Sequence, residues 1–296
     1  LHDKRRKLVY LIRDRMGEKP IYWTKTPGGI VFASEMKALL KAKGVNKQLN
    51  YSGIDKYFHY YYIPEPETMF KNVNKIEAGS YLKINLKDLS TEKIKYWKPE
   101  DISSDFHGDP TEKIRSIFAD SCKLTLRSDV SVGISLSGGI DSGAILAYSA
   151  PYYKDRMRAF SIGYEGSPPS DEREMARKLA KKFKVDFVQK ELNTNTIVKD
   201  FPRLVWNGDD TIADIAGHGI LAVNNLAKEN GVSVLLGGIG GDELFWGYPW
   251  MSDAVNTTLR QNSSWQTKIF GKKHRMYFYD QNPGYISAKN FSTKLY

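Results

Sequence analysis

The residues best suited to chemistry in this 296-residue chain are small polar residues that follow an apolar run. Residues 130–142 read VSVGISLSGGIDS, so an apolar run leads into Ser137, two glycines and an aspartate. Its β-branched residues predict a buried strand. The glycines allow a sharp turn whose N–H groups can approach an anion. Asp141 and Ser142 then begin a predicted helix, whose N-terminus favours negative charge. The pattern predicts a site for a phosphate group, specifically pyrophosphate with a magnesium ion.

A second segment later in the chain has the same organisation. Residues 232–248 read VSVLLGGIGGDELFWGY, a predicted buried strand followed by a glycine loop, and Asp242 and Glu243 begin the next helix. Carboxylates from two adjacent strand ends, Asp141 and Asp242, can hold one Mg²⁺ between polyphosphate oxygens. The alternatives are an ordinary strand–turn–helix junction and an acidic pair that only favours a helix N-terminus. The order of strand, glycines, serines and aspartate favours the phosphate site.

Alternating strands and helices must position these two loops. We predict helices at 111–126, 141–149, 171–183 and between 195 and 227, and strands at 130–136, 158–163, 185–189 and 232–236. This alternation predicts an α/β fold with a parallel sheet and helices on both faces. Both loops then lie at the carboxyl ends of strands, where open α/β sheets bind ligands. Before residue 98 we predict strands at 8–12 and 30–33 and a hairpin edge at 83–94.

The two loop motifs also carry a resemblance to a known family. SGGIDS is similar to the SGGxDS pattern of the PP-loop ATP pyrophosphatases, and no Gly-Lys-Ser/Thr of a Walker loop follows it. Together with GGIGGDELFWGY, it resembles the synthetase domain of the glutamine-dependent asparagine synthetases. The segments RDRMGEKPIYW, GIVFASEMKALL, YYYIPEPETMFK and IEAGSY resemble the end of a class II glutaminase domain and its join to that synthetase domain.

The resemblance implies a fold and a division into domains. Residues 1–97 are then a β-rich remnant of an N-terminal-nucleophile glutaminase domain. Residues 98–110, rich in Pro, Ser, Gly and Asp, are a linker. Residues 111–296 are the adenine nucleotide α-hydrolase-like, ATP-binding synthetase domain, incomplete at its C-terminus.

The resemblance also assigns roles to residues. It implies that Asp141 and Asp242 bind Mg²⁺ and act in catalysis together with Glu243. It implies that ATP is bound by Ser135, Leu136, Ser137, Gly138, Gly139, Asp141, Ser142, Ile162, Gly237 and Gly238. The implied reaction is a ligase reaction, in which a carboxylate is amidated through an acyl-adenylate with release of AMP and pyrophosphate. Aspartate is the favoured substrate, the nitrogen comes from glutamine or ammonia, and the intact parent is expected to be a cytoplasmic homodimer.

Three departures from the family pattern qualify this expectation. Ile239 stands where the asparagine synthetases commonly carry glutamate, and isoleucine can neither transfer a proton nor bind ammonium. Leu1 stands where the glutaminase nucleophile would be cysteine, and the single cysteine, Cys122, is expected to be a small buried residue. We find no match to the family's lysine and arginine region between 256 and 296. The chain is therefore expected to be an internal fragment without glutaminase activity.

Several alternatives stay open. The alternatives to asparagine synthesis are a related amidotransferase acting on a sugar acid or another carboxylate, a PP-loop tRNA-modifying enzyme, and an inactive ATP-binding fragment. The motif GGDELFWGY and the glutaminase-like segments argue against the tRNA-modifying enzyme. The net charge of +10 is compatible with nucleic acid, but Lys and Arg are scattered, so we expect no nucleic-acid partner. No apolar run approaches ~20 residues, so no membrane span is expected. The single cysteine fits a reducing cytosol.

Four further polar residues have no settled role in the sequence. Asp209, Asp210 and Asp214 lie in WNGDDTIAD, and either face the carboxylate substrate or cap helices. His218 has no partner that the sequence identifies, so we expect a packed or surface histidine. No Cys/His cluster is present, so zinc is not expected.

Overall fold

The chain forms two compact units in the computed structural model. Residues 1–102, 106–166, 168, 171–214, 216–245, 247, 248, 253 and 256 are described. Of these, residues up to 106 and Val205–Asp214 belong to the first unit, and the remainder belongs to the second. Apart from Asn256, the region searched without success for the family's lysine and arginine segment lies outside the described residues. No helix in the described part is long and apolar enough to cross a membrane.

Two antiparallel sheets form the first unit. One contains β1 (His2–Asp3), β2 (Leu8–Ile12), β6 (Ser80–Asn85) and β7 (Thr91–Lys95), in that spatial order. The other contains β4 (Gly29–Ala33), β3 (Tyr22–Thr26) and β5 (Asn74–Lys75). Helices α1 (Met36–Leu39) and α2 (Tyr51–Tyr60) follow β4 in the chain. The strands predicted at 8–12 and 30–33 and the hairpin at 83–94 are confirmed.

The core of the first unit lies on both sides of β3. One cluster contains Trp23 of β3, Leu11 of β2, and Leu82 and Ile84, which are alternate residues of β6. This cluster joins the two sheets. Tyr22, the preceding residue of β3, packs with Leu39 of α1 on the opposite side. Successive side chains of a strand point to opposite faces, so β3 contributes to both clusters.

A four-stranded parallel sheet forms the second unit, which confirms the predicted α/β fold. Its strands are β8 (Val132–Ser135), β9 (Arg158–Tyr164), β10 (Asp186–Leu192) and β11 (Val234–Leu236). Its helices are α3 (Pro110–Thr125), α4 (Ile140–Ser149), α5 (Arg173–Lys182), α6 (Thr194–Gly208), α7 (Ala216–Glu229) and α8 (Gly241–Phe245). The division between the units falls inside α6, after Leu204.

Helices cover both faces of the parallel sheet, as predicted. Ala159 of β9 packs with Leu146 of α4 and Ala176 of α5 on one face. Phe160, the next residue of β9, packs on the other face with residues of α7, including Leu226. The central strand β8 is a short, largely buried apolar run, as expected where both faces of a sheet are covered. The edge strand β10 is more polar, and its Gln189, Lys190 and Glu191 are exposed.

The start of α3 differs from the sequence prediction. Helix α3 begins at Pro110, inside the predicted linker, because the Asp109 side chain accepts a hydrogen bond from Thr111 N at 2.8 Å and caps the helix. Cys122 on α3 is buried at 5% exposure, as predicted, whereas Ile114 and Ile117 on the same helix are exposed. Burial raises the pKa of the Cys122 thiol.

Strand order brings the two glycine loops together. The sheet runs β10, β9, β8, β11, so the chain moves outward from β8 to β10 and then returns to the other side of β8. The carboxyl ends of β8 and β11 therefore adjoin where the direction of strand order reverses. In open α/β sheets this reversal is the position where ligands bind.

Candidate functional site

The first loop connects β8 to α4 and is folded around the hydroxyl of Ser142. Ser142 Oγ lies 3.0 Å from Ser137 Oγ and accepts a hydrogen bond from Ser137 N at 3.2 Å. Gly139 N donates to Ser137 Oγ at 3.2 Å. These contacts tie the loop to the first turn of α4, where the helix N-terminus favours an anion.

Gly138 occupies a position that only glycine accommodates without strain. Its φ is +98°, in the left-handed region that side chains disfavour. A Cβ there would lie 2.9 Å from Glu172 O and 3.1 Å from Ala176 N, both backbone atoms at the start of α5. The loop therefore packs directly on the N-terminal turn of α5.

We expect Gly138→Ala to lower the free energy of unfolding of the second unit by about 1–3 kcal/mol. The added Cβ meets backbone atoms that cannot rotate away, and the positive φ adds strain. Urea unfolding followed by hydrogen exchange of the sheet amides measures the loss. Gly166→Ala is the matched control, since Gly166 has a φ of +84° but no described heavy atom lies within 4 Å of its added Cβ. Equal losses in both variants would contradict the close packing at Gly138.

The second loop, between β11 and α8, crosses the first turn of α4. A Cβ on Gly238 would lie 2.9 Å from Asp141 Cβ and 3.0 Å from Ser142 N. A Cβ on Gly241 would lie 2.8 Å from Asp141 Oδ1. The Asp141 carboxylate therefore occupies the space that a side chain at Gly241 would need, one residue before Asp242. The structure thus brings together the two segments that carry the predicted magnesium ligands.

The third predicted acid, Glu243, lies in α8 and accepts hydrogen bonds from residues on either side of that helix. Its Oε2 accepts a hydrogen bond from Gly240 N at 2.8 Å, and its Oε1 accepts one from the Tyr248 hydroxyl at 2.9 Å. Its own backbone N–H, followed by Tyr248, lowers the pKa of Glu243. The same hydrogen bond raises the pKa of Tyr248 to about 12, with burial and the charges of Glu243, Asp242 and Asp141 adding to the effect.

The donor set at this point fits magnesium. Within the described residues, no three His, Cys, Asp or Glu side chains form a group that could hold a metal ion. The site offers carboxylates from Asp141 and Asp242, with Gly241 leaving room for the first. Mg²⁺ usually takes one or two carboxylates and completes its shell with water and phosphate oxygens. Two carboxylates on adjoining glycine loops would meet that requirement.

A cavity of about 320 Å³ opens beside the first loop, within the second unit. Its walls include Ser135, Leu136 and Ser137 at the end of β8, and Ile162 on β9. These belong to the predicted nucleotide-binding set. The other members, Gly138, Gly139, Asp141, Ser142, Gly237 and Gly238, belong to the two loops. Its volume is at the lower end of the range for small-molecule sites.

Sequence reasoning missed an ion-pair network at the edge of this cavity. The guanidinium of Arg173 pairs with Asp171 at 2.6 Å and with Glu191 at 2.9 Å. It lies directly over the α-carbon of Gly163, leaving no room for a side chain there. Asp171 and Gly163 both line the cavity. No local sequence pattern reveals this network, because Arg173 lies on α5 and Glu191 lies on β10.

The aspartates of WNGDDTIAD lie in the first unit. Asp209 accepts hydrogen bonds from Met36 N and from Lys37 N, the latter at 2.9 Å. It therefore caps α1, and helix capping is one of the two roles predicted for it from the sequence. Asp210 Oδ2 lies 2.5 Å from Nζ of the buried Lys75. Asp214 lines a cavity of about 800 Å³ in the same unit.

His218 is packed in the second unit, as expected, at 1% exposure. Asp200 Oδ2 lies 3.8 Å from Nε2 of His218, which is beyond hydrogen-bond distance, and neither ring nitrogen has a hydrogen-bond partner among the described residues. Asp200 lies on α6 and His218 on α7, so their proximity could not be inferred from spacing.

The parallel sheet and its adjoining glycine loops are those of an open α/β domain, a class that binds ligands where the strand order reverses. Residues 113–294 match the family described as asparagine synthase, and residues 1–97 match the glutamine amidotransferase domain. The chain belongs to the asparagine synthase family, with an amidotransferase region at its N-terminal end.

Similar proteins agree with this family. Asparagine synthetase [glutamine-hydrolyzing] 1 of Bacillus subtilis is 32% identical over 260 residues, covering 83% of this chain and 38% of the relative. Putative asparagine synthetase [glutamine-hydrolyzing] 2 of Methanocaldococcus jannaschii is 31% identical over 252 residues, covering 84% of this chain and 48% of the relative. The chain therefore spans less than half the length of either relative.

Among solved structures, the NH3-dependent NAD synthetase from Campylobacter jejuni matches with a TM-score of 0.33 and 18% identity. The match covers 46% of this chain and 60% of the other. The fold assignment consequently rests on the sheet topology described above.

Proposed function

We propose that this chain is part of an ATP-dependent ligase that amidates a carboxylate, with aspartate as the favoured substrate and asparagine as the product. The observation that carries the proposal is the approach of the β11–α8 loop to Asp141 in the first turn of α4. This approach supports a shared site for the two glycine loops, which carry the proposed phosphate-binding residues and the proposed magnesium ligands, at the strand-order reversal. The family match and the asparagine synthetase relatives support the same chemistry.

In the proposed reaction, a carboxylate oxygen attacks the α-phosphorus of ATP and pyrophosphate leaves. Ammonia then displaces AMP and forms the amide. The hydroxyls of Ser137 and Ser142, the loop amides and the N-terminus of α4 hold the pyrophosphate. Asp141 and Asp242 would hold Mg²⁺, which supplies positive charge to the leaving group when bound. The cavity beside Ile162 takes the adenosine part.

A second candidate differs only in the carboxylate. Ile239 is 83% exposed in the β11–α8 loop, between the glycines that approach Asp141. An isoleucine there offers no proton or charge to ammonia, so a related amidotransferase acting on a sugar acid or another carboxylate is the alternative. If aspartate is a substrate, Ile239→Glu is expected to improve amide formation.

The wider assignment of the parent protein follows from the same proposal. Residues 1–97 would be the end of a glutaminase domain, 98–110 a linker and 111–296 the synthetase domain. Glutamine would supply the ammonia, and the protein would act in the cytoplasm as a homodimer. A salt-dependent tRNA-binding assay distinguishes this proposal from a PP-loop tRNA-modifying enzyme.

The proposal is tested by identifying the nucleotide product. The intact protein, given ATP, Mg²⁺, ammonia and aspartate, is expected to release AMP and pyrophosphate. The first loop holds the β- and γ-phosphates at a helix N-terminus, and no P-loop lysine is present to stabilise a transferring γ-phosphoryl group. Chromatography of the nucleotides measures the ratio of AMP to ADP. ADP as the main product refutes the mechanism, whereas AMP formed with another carboxylate but not with aspartate favours the second candidate.

A further inference from the structure

Hydrogen bonds accepted by the Glu243 carboxylate link Gly240, before α8, with Tyr248, after α8, and so form a ring. Glu243 is the third residue of α8, and its Oε2 accepts from the N–H of Gly240, just before the helix, at 2.8 Å. A glutamate at this position commonly reaches back to the helix start in this way. Its other oxygen, Oε1, accepts from the Tyr248 hydroxyl at 2.9 Å. Each carboxylate oxygen of Glu243 therefore accepts a hydrogen bond from a residue next to α8.

Asp242 lies inside this ring and is bordered by glycine backbone. Gly247 N donates a hydrogen bond to Asp242 O at 3.0 Å. A Cβ on Gly247 would lie 2.7 Å from Asp242 Cγ and 3.0 Å from Asp242 Cα. Gly241, the residue before Asp242, borders the Asp141 carboxylate. The position of the 247–248 segment therefore limits where the Asp242 side chain can go.

We propose that Tyr248 is a positioning residue for the magnesium site, acting through Glu243 to hold Asp242 where it can share the ion with Asp141. This inference rests on the proposed function, because it requires these two aspartates to bind Mg²⁺ with ATP. Glu243 then does not touch the ion or the substrate, which replaces the catalytic role that the family resemblance implied for it. Groups that orient metal ligands from outside the coordination shell typically contribute 10–100-fold to metal affinity.

The Mg²⁺ requirement of ATP binding provides the test. At saturating ATP, the Mg²⁺ concentration that gives half-maximal thermal protection is measured for the wild-type chain and for Tyr248→Phe. Loss of the hydroxyl is expected to raise this concentration roughly tenfold. Two companion readouts are the protection by ATP in EDTA and the unfolding temperature without ligand. Neither is expected to change along with the Mg²⁺ requirement. A purely structural role would lower the ligand-free unfolding temperature without changing the Mg²⁺ requirement.

A matched control removes a tyrosine hydroxyl elsewhere in the same unit. Tyr148 lies on α4 with its ring packed edge-on against Phe118, and Tyr148→Phe is expected to keep the wild-type Mg²⁺ requirement. A wild-type Mg²⁺ requirement in Tyr248→Phe overturns the inference.

Two further outcomes are informative. If Tyr248→Phe does not fold, Glu243→Met replaces it, because methionine has a similar length and offers neither carboxylate oxygen to Gly240 N or to the Tyr248 hydroxyl. A raised Mg²⁺ requirement in Glu243→Met supports the inference, and an unchanged one overturns it. If the wild-type chain itself gains no protection from Mg²⁺ and ATP, the proposed function fails and this inference fails with it.

Discussion

Asp141→Asn is expected to abolish the Mg²⁺-dependent part of the thermal protection that ATP gives to this chain. At a ligand concentration of 100 times Kd, protection corresponds to about 2.7 kcal/mol, so a complete loss is readily measured. Asparagine keeps the shape of the side chain that lies against Gly238 and Gly241 but removes the charge that binds the ion. The unfolding temperature is followed with Mg²⁺ and ATP together, and with ATP in EDTA.

Asp155→Asn provides the control for the change in charge. Asp155 is an exposed acid in the second unit, outside both glycine loops. We expect this variant to keep the full protection by Mg²⁺ and ATP. Wild-type protection in Asp141→Asn would remove Asp141 from the magnesium site.

Asp210→Ala is expected to lower the stability of the first unit by about 3–5 kcal/mol. The Lys75 side chain is 9% exposed, and its ammonium group pairs with Asp210 and donates to Ile63 O at 3.1 Å. Removing the aspartate leaves a buried positive charge whose remaining contact among the described residues is that carbonyl. Because the chain has two units, hydrogen exchange of amides in β3 and β5 is preferred to a single global unfolding curve.

The double variant Lys75→Met with Asp210→Ala separates the buried charge from other effects. Removing both charges is expected to restore most of the lost stability, because methionine fills the same space without requiring a partner. If Asp210→Ala is as stable as the wild type, the ion pair does not support the first unit. If the double variant is no more stable than Asp210→Ala, the lost stability comes from another contact of Asp210.

The parallel sheet was predictable because its strands are short apolar runs separated by helical patterns. The glycine loops were predictable because the sequence motif and the strand ends coincide at Gly138 and at Gly238. By contrast, β3 (Tyr22–Thr26) was missed, since its threonines and lysine interrupt any apolar run. Its place in the sheet depends on pairing with β4 and β5, which no local pattern encodes.

Side-chain partners were the least predictable part of the site. Glu243 could be identified as an acid beside Asp242, but the sequence could not show that Tyr248 and Gly240 occupy both of its oxygens. Similarly, Asp210 pairs with Lys75, far away in the sequence. Such contacts depend on tertiary structure, and chemically similar residues at the same spacing can take other partners. The assignments of individual site residues therefore stay predictions until the variants are measured.

The strand order has a consequence for synthesis on the ribosome. Strands β8, β9 and β10 emerge in the order in which they pair, so each can dock as it appears. Strand β11 must return to β8, the first of them, after α6 and α7, and contacts between residues distant in sequence form slowly. Until then the backbone of β8 has an unpaired edge, which is prone to pairing with other chains. The nascent chain is therefore most exposed to aggregation immediately before the second glycine loop reaches Asp141.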